Sequence, residues 1–184
     1  MADELYLATG NIHKLREFRQ LLGSRVIGYT LPVEENGKTF EANAVKKARA
    51  VMKETGKMAI ADDSGLMVDC LGGSPGVRSA RFADPPTPKN LCGKLLRLMQ
   101  GCRNRNARFV CAIAIVYPSG ASRVVTGTVN GKIAEKMLGR HGFGYDPVFI
   151  PSGYRETFAQ MTPGLKNQLS HRGRALRQLK SILG

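Results

Sequence analysis

The chain has 184 residues, of which 42% are hydrophobic and 23% are charged. This length and apolar content indicate one folded domain and exclude a disordered chain. The longest apolar run, residues 109–117, is too short to span a bilayer. The formal net charge is +14, and no acid lies between Pro85 and Ala134 or after Glu156. A basic second half of this kind favours anionic ligands, whether polymers or nucleotides.

The N-terminal segment and the cysteines indicate the cellular context. We expect no targeting segment, because the first apolar run, Leu5 to Ala8, is short. The cysteines have no close spacing, so free thiols are predicted and neither a zinc site nor a disulfide framework is expected. A soluble, cytoplasmic protein with one domain, residues 1–184, and no membrane segment is therefore predicted.

Strands and helices alternate in the first part of the chain. Leu5–Ala8, Val26–Leu31 and Met58–Ala61 are predicted strands. One helix is predicted from Ile12, and a second follows Thr39, which has the side chain of an N-cap. This order predicts an α/β fold.

The turn Thr9-Gly10-Asn11, between the first strand and the first helix, has two interpretations. Its free N–H groups and the helix dipole can hold an anion, to which Lys14 would add a positive charge. Alternatively, Thr9 or Asn11 caps the helix and Lys14 is solvated.

Two adjacent acids, Asp62 and Asp63, follow the third predicted strand. They would lie at its carboxyl end, where open α/β sheets place their ligand sites. Adjacent carboxylates repel unless a cation or a hydrogen-bond donor shares the site, and a divalent metal is one solution. The alternative is that one acid caps a turn and the other is solvated. A second acidic pair, Glu34-Glu35, lies in a polar turn before Gly37.

The second half of the chain is richer in glycine and proline. Residues 71–88 predict a long loop, and residues 91–98 a short amphipathic helix. Phe109–Tyr117 and Arg123–Val129 predict a hairpin that adds antiparallel strands to the sheet. In the glycine loop at residues 142–147, two aromatic side chains either stack on a base or fill the core.

A final helix is predicted from the leucine spacing of residues 165–183. Arg172 falls on the leucine face and therefore needs a partner. With Lys166 and His171 it forms a candidate anion-binding group at one helix start. The alternative is that Arg172 reaches outward and the three side chains form a solvated basic face.

Seven short blocks then combine into a pattern that covers nearly the whole chain. They are Thr9-Gly10-Asn11 with Lys14 and Glu17, Thr39-Phe40-Glu41 with Asn43-Ala44, Ala61-Asp62-Asp63-Ser64-Gly65, Gly73 with Pro75-Gly76-Val77, Ser79-Ala80-Arg81-Phe82, Gly142-Phe143-Gly144-Tyr145-Asp146-Pro147, and Ser170-His171-Arg172. In this order the blocks closely resemble the inosine/xanthosine triphosphate pyrophosphatases.

The resemblance implies a mixed α/β fold with a central sheet flanked by helices, and two lobes with an active-site cleft. It also implies a homodimer that hydrolyses ITP, dITP and XTP to the monophosphate and pyrophosphate with Mg²⁺, which removes deaminated purines from the nucleotide pool.

The resemblance also assigns roles to residues. Asp63 matches the general base and a metal ligand, and Glu34 best matches the second metal acid, with Glu35 and Asp62 as further candidates. Lys14 matches a catalytic and triphosphate contact. The other triphosphate contacts are Thr9, Gly10, Asn11 and Ser64, and the nucleotide contacts are Phe143, Gly144, Tyr145, Asp146, Lys166, His171 and Arg172. Pro163-Gly164 departs from the acidic residues that are common there in the family.

Two rival functions remain at this stage. A Maf-like pyrophosphatase for other nucleotides is disfavoured by the Ser170-His171-Arg172 block. A basic nucleic-acid-binding module is suggested by the charge, but the chain has no recognisable binding motif, and no specific nucleic acid is expected as a partner.

Overall fold

The computed structural model describes residues 4–183, so residues 1–3 and 184 of the predicted domain lie outside the described residues. Within this range there are six strands and five α-helices, joined in part by two short 3-10 helices, Asp69–Leu71 and Gly76–Arg81. In chain order the main elements are β1 (Leu5–Ala8), α1 (Ile12–Leu22), β2 (Val26–Tyr29), α2 (Phe40–Thr55), β3 (Ala59–Val68), α3 (Pro88–Leu98), β4 (Asn106–Val116), β5 (Ser122–Ile133), β6 (Phe149–Pro151), α4 (Pro163–Leu169) and α5 (His171–Leu183).

The six strands form one mixed sheet in the order β2-β1-β3-β4-β5-β6. Strand β1 pairs in parallel with both β2 and β3, whereas β5 and β6 are antiparallel. The predicted α/β class with a central mixed sheet is confirmed. No helix among residues 4–183 has both the length and the apolar character needed to cross a membrane.

The described chain divides into two units, and each has its own hydrophobic core. Unit 1 comprises residues 4–63, 111–127 and 172–183, and unit 2 comprises residues 64–110 and 128–171. Phe18, Ile60 and Leu176 are fully buried in the core of unit 1, and Phe149 and Phe158 in that of unit 2. Each such side chain contributes about 1.5–3 kcal/mol through burial.

Strand β3 is longer than the sequence predicts. The acids were expected at its carboxyl end, but β3 continues to Val68 and Asp62 and Asp63 lie in its middle. Its parallel pairing with β1 ends at Ile60, so the acids follow the β1-paired part of the strand. The predicted strand was too short because Asp, Ser and Gly disfavour strands locally, whereas pairing within the sheet overrides that preference.

The pleat of β3 sends its side chains to two faces in alternation. Ile60 packs in the unit 1 core with residues of α1 and α5, and Asp62 shares that face. Asp63 has the opposite parity, and its partners come from α2. The neighbouring acids therefore face different helices.

The predicted final helix is two helices, α4 and α5. Ser170, between them, has an extended backbone with ψ 157°, which ends α4. The leucines on the predicted seam serve separate cores: Leu165 and Leu169 pack in unit 2, and Leu176 and Leu179 pack in unit 1. Of the cysteines, Cys92 and Cys111 are buried, and Cys70 and Cys102 are half-buried.

The close approach of β5 and β6 requires glycine at position 131. A Cβ on Gly131 would lie 2.2 Å from the Ile150 carbonyl oxygen, whereas a Cβ on Gly93 in α3 would contact nothing within 4 Å. We expect Gly131→Ala to lower the free energy of unfolding by about 1–3 kcal/mol, and Gly93→Ala to raise it by about 1 kcal/mol through helix propensity. Urea unfolding measures both; equal stability of Gly131→Ala and wild type would contradict the pairing.

Candidate active site

Asp63 lies on the α2 face of β3 and is 6% exposed. Its Oδ2 accepts a hydrogen bond from Asn43 Nδ2 at 2.9 Å, and its Oδ1 lies 3.7 Å from Lys47 Nζ. Asn43 and Lys47 stand one turn apart on α2, a helix capped by the Thr39 side chain. The helix thus presents one amide and one ammonium group to the same carboxylate.

The loop before α2 brings a second carboxylate to Lys47. Glu35 accepts a hydrogen bond from Lys47 Nζ and is half-buried. The loop is held by Gly37, whose N–H donates to Asn43 Oδ1 at 2.8 Å. A Cβ at Gly37 would lie 2.5 Å from that oxygen, so the approach requires glycine. Lys47 is therefore shared by Glu35 and Asp63.

Glu34 lies differently from its neighbour Glu35. Its side chain is exposed and accepts a hydrogen bond from Asn36 Nδ2 at 3.0 Å. The geometry therefore favours Glu35 over Glu34 as the acid that acts with Asp63.

Asp62 lies on the opposite face of β3 and is 1% exposed. Its Oδ1 accepts a hydrogen bond from Lys14 Nζ at 3.0 Å, and its Oδ2 accepts two from Arg172, from Nε at 3.1 Å and from a terminal nitrogen at 3.0 Å. Arg172 also donates to Glu17 at 2.6 Å. Two cations and two carboxylates thus meet in unit 1.

The two environments shift the pKa values of the adjacent acids in opposite directions. Burial raises the pKa of Asp63, and Glu35 adds to this effect, while Lys47 and Asn43 only partly offset it. Burial also acts to raise the pKa of Asp62, but Lys14 and Arg172 hold it far below its usual range. The Lys14 and Arg172 contacts thus favour the ionised form of Asp62, and Asp63 is the more basic carboxylate.

The turn before α1 is a capped helix start. Asn11 Oδ1 accepts hydrogen bonds from the backbone of His13 and Lys14, and Thr9 Oγ1 accepts one from Asn11. The capping interpretation is confirmed for Asn11, but the expectation of a solvated Lys14 is wrong, because its ammonium binds Asp62. Gly10 and Asn11 are exposed.

The oxygen ligands beside Lys47 fit a hard divalent cation. Mg²⁺ prefers carboxylate oxygen and usually binds proteins through one or two carboxylates, with water and substrate phosphates as its other ligands. Glu35 and Asp63 already share a cationic group, the Lys47 ammonium, and the two carboxylates leave one excess negative charge. Among residues 4–183, no three His, Cys, Asp or Glu side chains are grouped to hold a metal by themselves. The pair therefore fits Mg²⁺ that is shared with a substrate.

In unit 2, Asp146 organises the glycine loop. Its Oδ2 accepts a hydrogen bond from Lys166 Nζ at 2.7 Å and another from the Phe143 backbone at 2.7 Å. The Lys166 ammonium also lies 4.5 Å from the centre of the Phe143 ring. Pro163, the departure from the family pattern, fits the first turn of α4 after the Thr162 cap.

The two aromatic residues of the loop have different environments. Tyr145 is buried in the unit 2 core and donates a hydrogen bond from its hydroxyl to the Ser79 carbonyl at 2.9 Å, whereas Phe143 is only half-buried. Gly144 between them is also half-buried. Tyr145 therefore fills the core, as the second interpretation predicts, whereas the Phe143 ring is partly exposed.

The three basic residues predicted at the last helix have different partners. Lys166 on α4 pairs with Asp146 in unit 2, while Arg172 on α5 pairs with acids of unit 1. His171 is buried, and its ring stacks on Phe109 at 4.6 Å between ring centres. The solvated basic face is also wrong, because all three side chains are buried. Ser64 follows Asp63 in β3 and is half-buried.

The chain was compared with known proteins. Residues 5–182 match the Ham1 family. The dITP/XTP pyrophosphatase of Bacillus licheniformis is 48% identical over 98% of this chain and 97% of its own. The solved Ham1 protein of Staphylococcus aureus superposes with a TM-score of 0.89 at 37% identity, with 98% of both chains covered.

The chain belongs to the Ham1 family. A second solved member, described as a nucleoside-triphosphatase and dITP/XTP pyrophosphatase from Mycobacterium abscessus, has 41% identity and a TM-score of 0.78, over 96% of this chain and 98% of its own. The predicted resemblance and fold are thereby confirmed.

Sequence reasoning gave no role to three residues of this Ham1 site: Lys47, Asn43 and Glu17. One signal was available for Lys47, which lies one turn after the buried Asn43 and between the buried residues Ala44 and Ala48 of α2, where a charge requires a partner. Its partner Glu35 lies in a loop, and no local pattern predicts their contact.

The glycine loop provides a test of the role of Asp146. A Cβ on Gly142, at φ 77°, would lie 2.1 Å from Asp146 Oδ2, whereas a Cβ on Gly144, at φ 60°, would contact nothing within 4 Å. Both alanine variants carry backbone strain, but only Gly142→Ala displaces the carboxylate. We expect Gly142→Ala to lose about 1–3 kcal/mol more stability than Gly144→Ala in urea unfolding. Equal losses would contradict the Asp146 contact.

Proposed function

We propose that this protein hydrolyses non-standard purine nucleoside triphosphates, of the dITP, ITP and XTP class, to the monophosphate and pyrophosphate. The observation that carries the proposal is similarity over nearly the full length to proteins named dITP/XTP pyrophosphatase, at 40–48% identity. The chemistry of Asp63 and its neighbours supports the same reaction.

Asp63 is the proposed general base. A water that attacks a phosphorus atom must be oriented and must lose a proton, and a carboxylate with a raised pKa is a better proton acceptor than an ordinary one. Asn43 donates a hydrogen bond to Oδ2 of Asp63. This bond fixes the orientation of the carboxylate and therefore the direction of its other oxygen, Oδ1. Hydrolysis by water needs no covalent intermediate with the chain.

Glu35 and Asp63 are the acids of the proposed Mg²⁺ site, with Glu34 as the alternative to Glu35 predicted from sequence. When bound, Mg²⁺ supplies positive charge that offsets the negative charge of the triphosphate. A carboxylate bound directly to the metal loses basicity, so we propose that Glu35 carries the direct bond and that Asp63 orients the water. Lys47 adds a charge beside both acids.

The proposed triphosphate contacts are Lys14, the turn Thr9 to Asn11, and Ser64. Phosphoryl chemistry depends on charge neutralisation more than on covalent catalysis, so cations near the phosphates supply most of the barrier reduction. Lys14 fits this role because its ammonium is held in place by Asp62.

The proposed nucleotide contacts are Phe143 to Asp146 with Lys166, His171 and Arg172. A base can stack on the half-buried Phe143 ring. A 6-oxo purine accepts a hydrogen bond where adenine donates one, so a donor such as Lys166 distinguishes them by about 1–3 kcal/mol for each unpaired group. The homodimer and the cytoplasmic location stay predictions.

The function is tested with dITP, XTP, GTP and ATP in the presence of Mg²⁺. We expect rapid pyrophosphate release from dITP and XTP and little from ATP, which lacks the 6-oxo group. GTP has that group, so its exclusion must depend on the 2-position of the purine. A Maf-like enzyme would instead prefer other nucleotides, and a nucleic-acid-binding module would turn over none. Orthophosphate as the main product would refute the proposal.

Replacement of the proposed base tests the mechanism. Asp63→Asn should lower kcat by about a hundredfold or more with the fold intact, because the amide cannot accept the proton. In the wild type, the carboxylate is lost as pH falls through the raised pKa, so kcat/KM should decline at a pH above the ordinary aspartate value of about 3.9. Circular dichroism controls for folding. Activity of Asp63→Asn above about a tenth of wild type would exclude the role.

The two neighbouring glutamates offer a matched pair of variants. We expect Glu35→Gln to raise the Mg²⁺ concentration for half-maximal activity by about tenfold or more, since it removes a carboxylate ligand. Glu34→Gln removes the same charge one residue away. It should change the Mg²⁺ concentration for half-maximal activity by less than about twofold, because Glu34 is exposed and accepts a hydrogen bond from Asn36. The opposite ranking would assign the metal to Glu34.

A further inference from the structure

We propose that Asp62 is a positioning residue for the triphosphate contact Lys14, and that it is not a metal ligand. This inference rests on the proposed function, because Lys14 matters to catalysis only if a polyphosphate is bound. Both oxygens of Asp62 are already engaged: Oδ1 by Lys14 and Oδ2 by Arg172.

The direction of the Asp62 side chain separates it from the proposed metal ligands. Because successive side chains of a strand alternate, Asp62 faces α1 and α5 while Asp63 faces α2. Glu35 shares Lys47 with Asp63 and belongs to that second face. The residues that would hold a metal with Asp63 therefore come from the α2 side, whereas the hydrogen-bond partners of Asp62 come from α1 and α5.

Asp62 is itself fixed by a buried partner. Arg172, which is 3% exposed, donates to Asp62 Oδ2 from two of its nitrogens and to Glu17 from a third. Such a guanidinium–carboxylate contact is stronger and more directional than a single neutral hydrogen bond. The chain of contacts from Glu17 through Arg172 therefore holds the carboxylate that binds Lys14.

Lys14 retains the capacity to bind an anion. An ammonium group has three N–H donors, and the hydrogen bond to Asp62 Oδ1 uses one of them. Its side chain is 19% exposed, against 1% for that of Asp62. Asp62 thus restrains a flexible lysine and orients the remaining donors, which lowers the entropy that substrate binding would otherwise lose.

The four charged groups also balance one another. Lys14 and Arg172 carry two positive charges, and Asp62 and Glu17 carry two negative ones. Loss of the Asp62 charge leaves the cluster more positive, which favours binding of a polyanion, while Lys14 loses its orientation. A positioning role therefore predicts a fall in kcat with no rise in KM.

Asp62→Asn is the first variant, with dITP as substrate. We expect kcat to fall by about tenfold or more and KM to stay level or fall. In a Lys14→Met background, Asp62→Asn should lower kcat by less than about twofold, because the lysine through which Asp62 acts is already absent. Asp69→Asn is the matched control, since Asp69 forms an exposed ion pair with Arg108. A full tenfold loss in the Lys14→Met background would overturn the proposal.

Metal binding is measured separately, without substrate. Mn²⁺ titration followed by electron paramagnetic resonance should give the same affinity, within about twofold, for wild type and Asp62→Asn. A tenfold weaker affinity would make Asp62 a metal ligand and overturn the proposal. If Asp62→Asn does not fold, Asp62→Glu replaces it, because it keeps the charge and displaces the carboxylate by one methylene; the same kcat loss with unchanged Mn²⁺ affinity is expected.

A final measurement does not depend on catalysis. After reductive ¹³C-methylation of lysines, the Lys14 signal, assigned from its absence in Lys14→Met, should shift in Asp62→Asn and not in Asp69→Asn. A shifted signal in a protein that turns over neither dITP nor XTP would refute the proposed function and leave the contact standing. Turnover without a shift would refute the Asp62 role alone.

Discussion

The pleat of β3 separates two neighbouring carboxylates, and the chemistry of unit 1 depends on this separation. Two adjacent aspartates would repel on a shared site, but in a strand they face opposite sides. Asp62 meets the cations of α1 and α5, and Asp63 meets the amide and ammonium of α2. Each acid therefore acquires its own partners, and the two carboxylates reach opposite pKa shifts.

This division gives the two sides of the strand different tasks. On the Asp62 side the positive and negative groups balance one another around the buried Asp62 and Arg172, an arrangement that fixes their geometry. On the Asp63 side two carboxylates face one lysine, so negative charge is in excess and a cation is favoured. The first arrangement suits positioning, and the second suits water activation and metal binding.

In unit 2 one buried carboxylate, that of Asp146, also fixes its neighbours through hydrogen bonds. Asp146 accepts hydrogen bonds from Lys166 and from the backbone of Phe143, which joins α4 to the glycine loop. Gly142 makes room for that carboxylate, since any Cβ there would overlap it. The loop is therefore held in one conformation by a single carboxylate, and its half-buried ring is presented on a rigid support.

The α/β class, the helix N-cap at Thr39 and the family could be predicted from the sequence alone, because capping, periodicity and short motifs are local properties of the chain. For the first helix the sequence narrowed the N-cap to Thr9 or Asn11, and the structure has Asn11. The sequence also predicted that Arg172 needs a partner, but not which one, since Asp62 lies 110 residues away. The length of β3 and the break at Ser170 could not be predicted locally, because strand pairing and two separate cores override local preference there. The same holds for the two aspartates: they are identical in sequence terms, and their roles differ because distant helices supply different neighbours to each face of one strand.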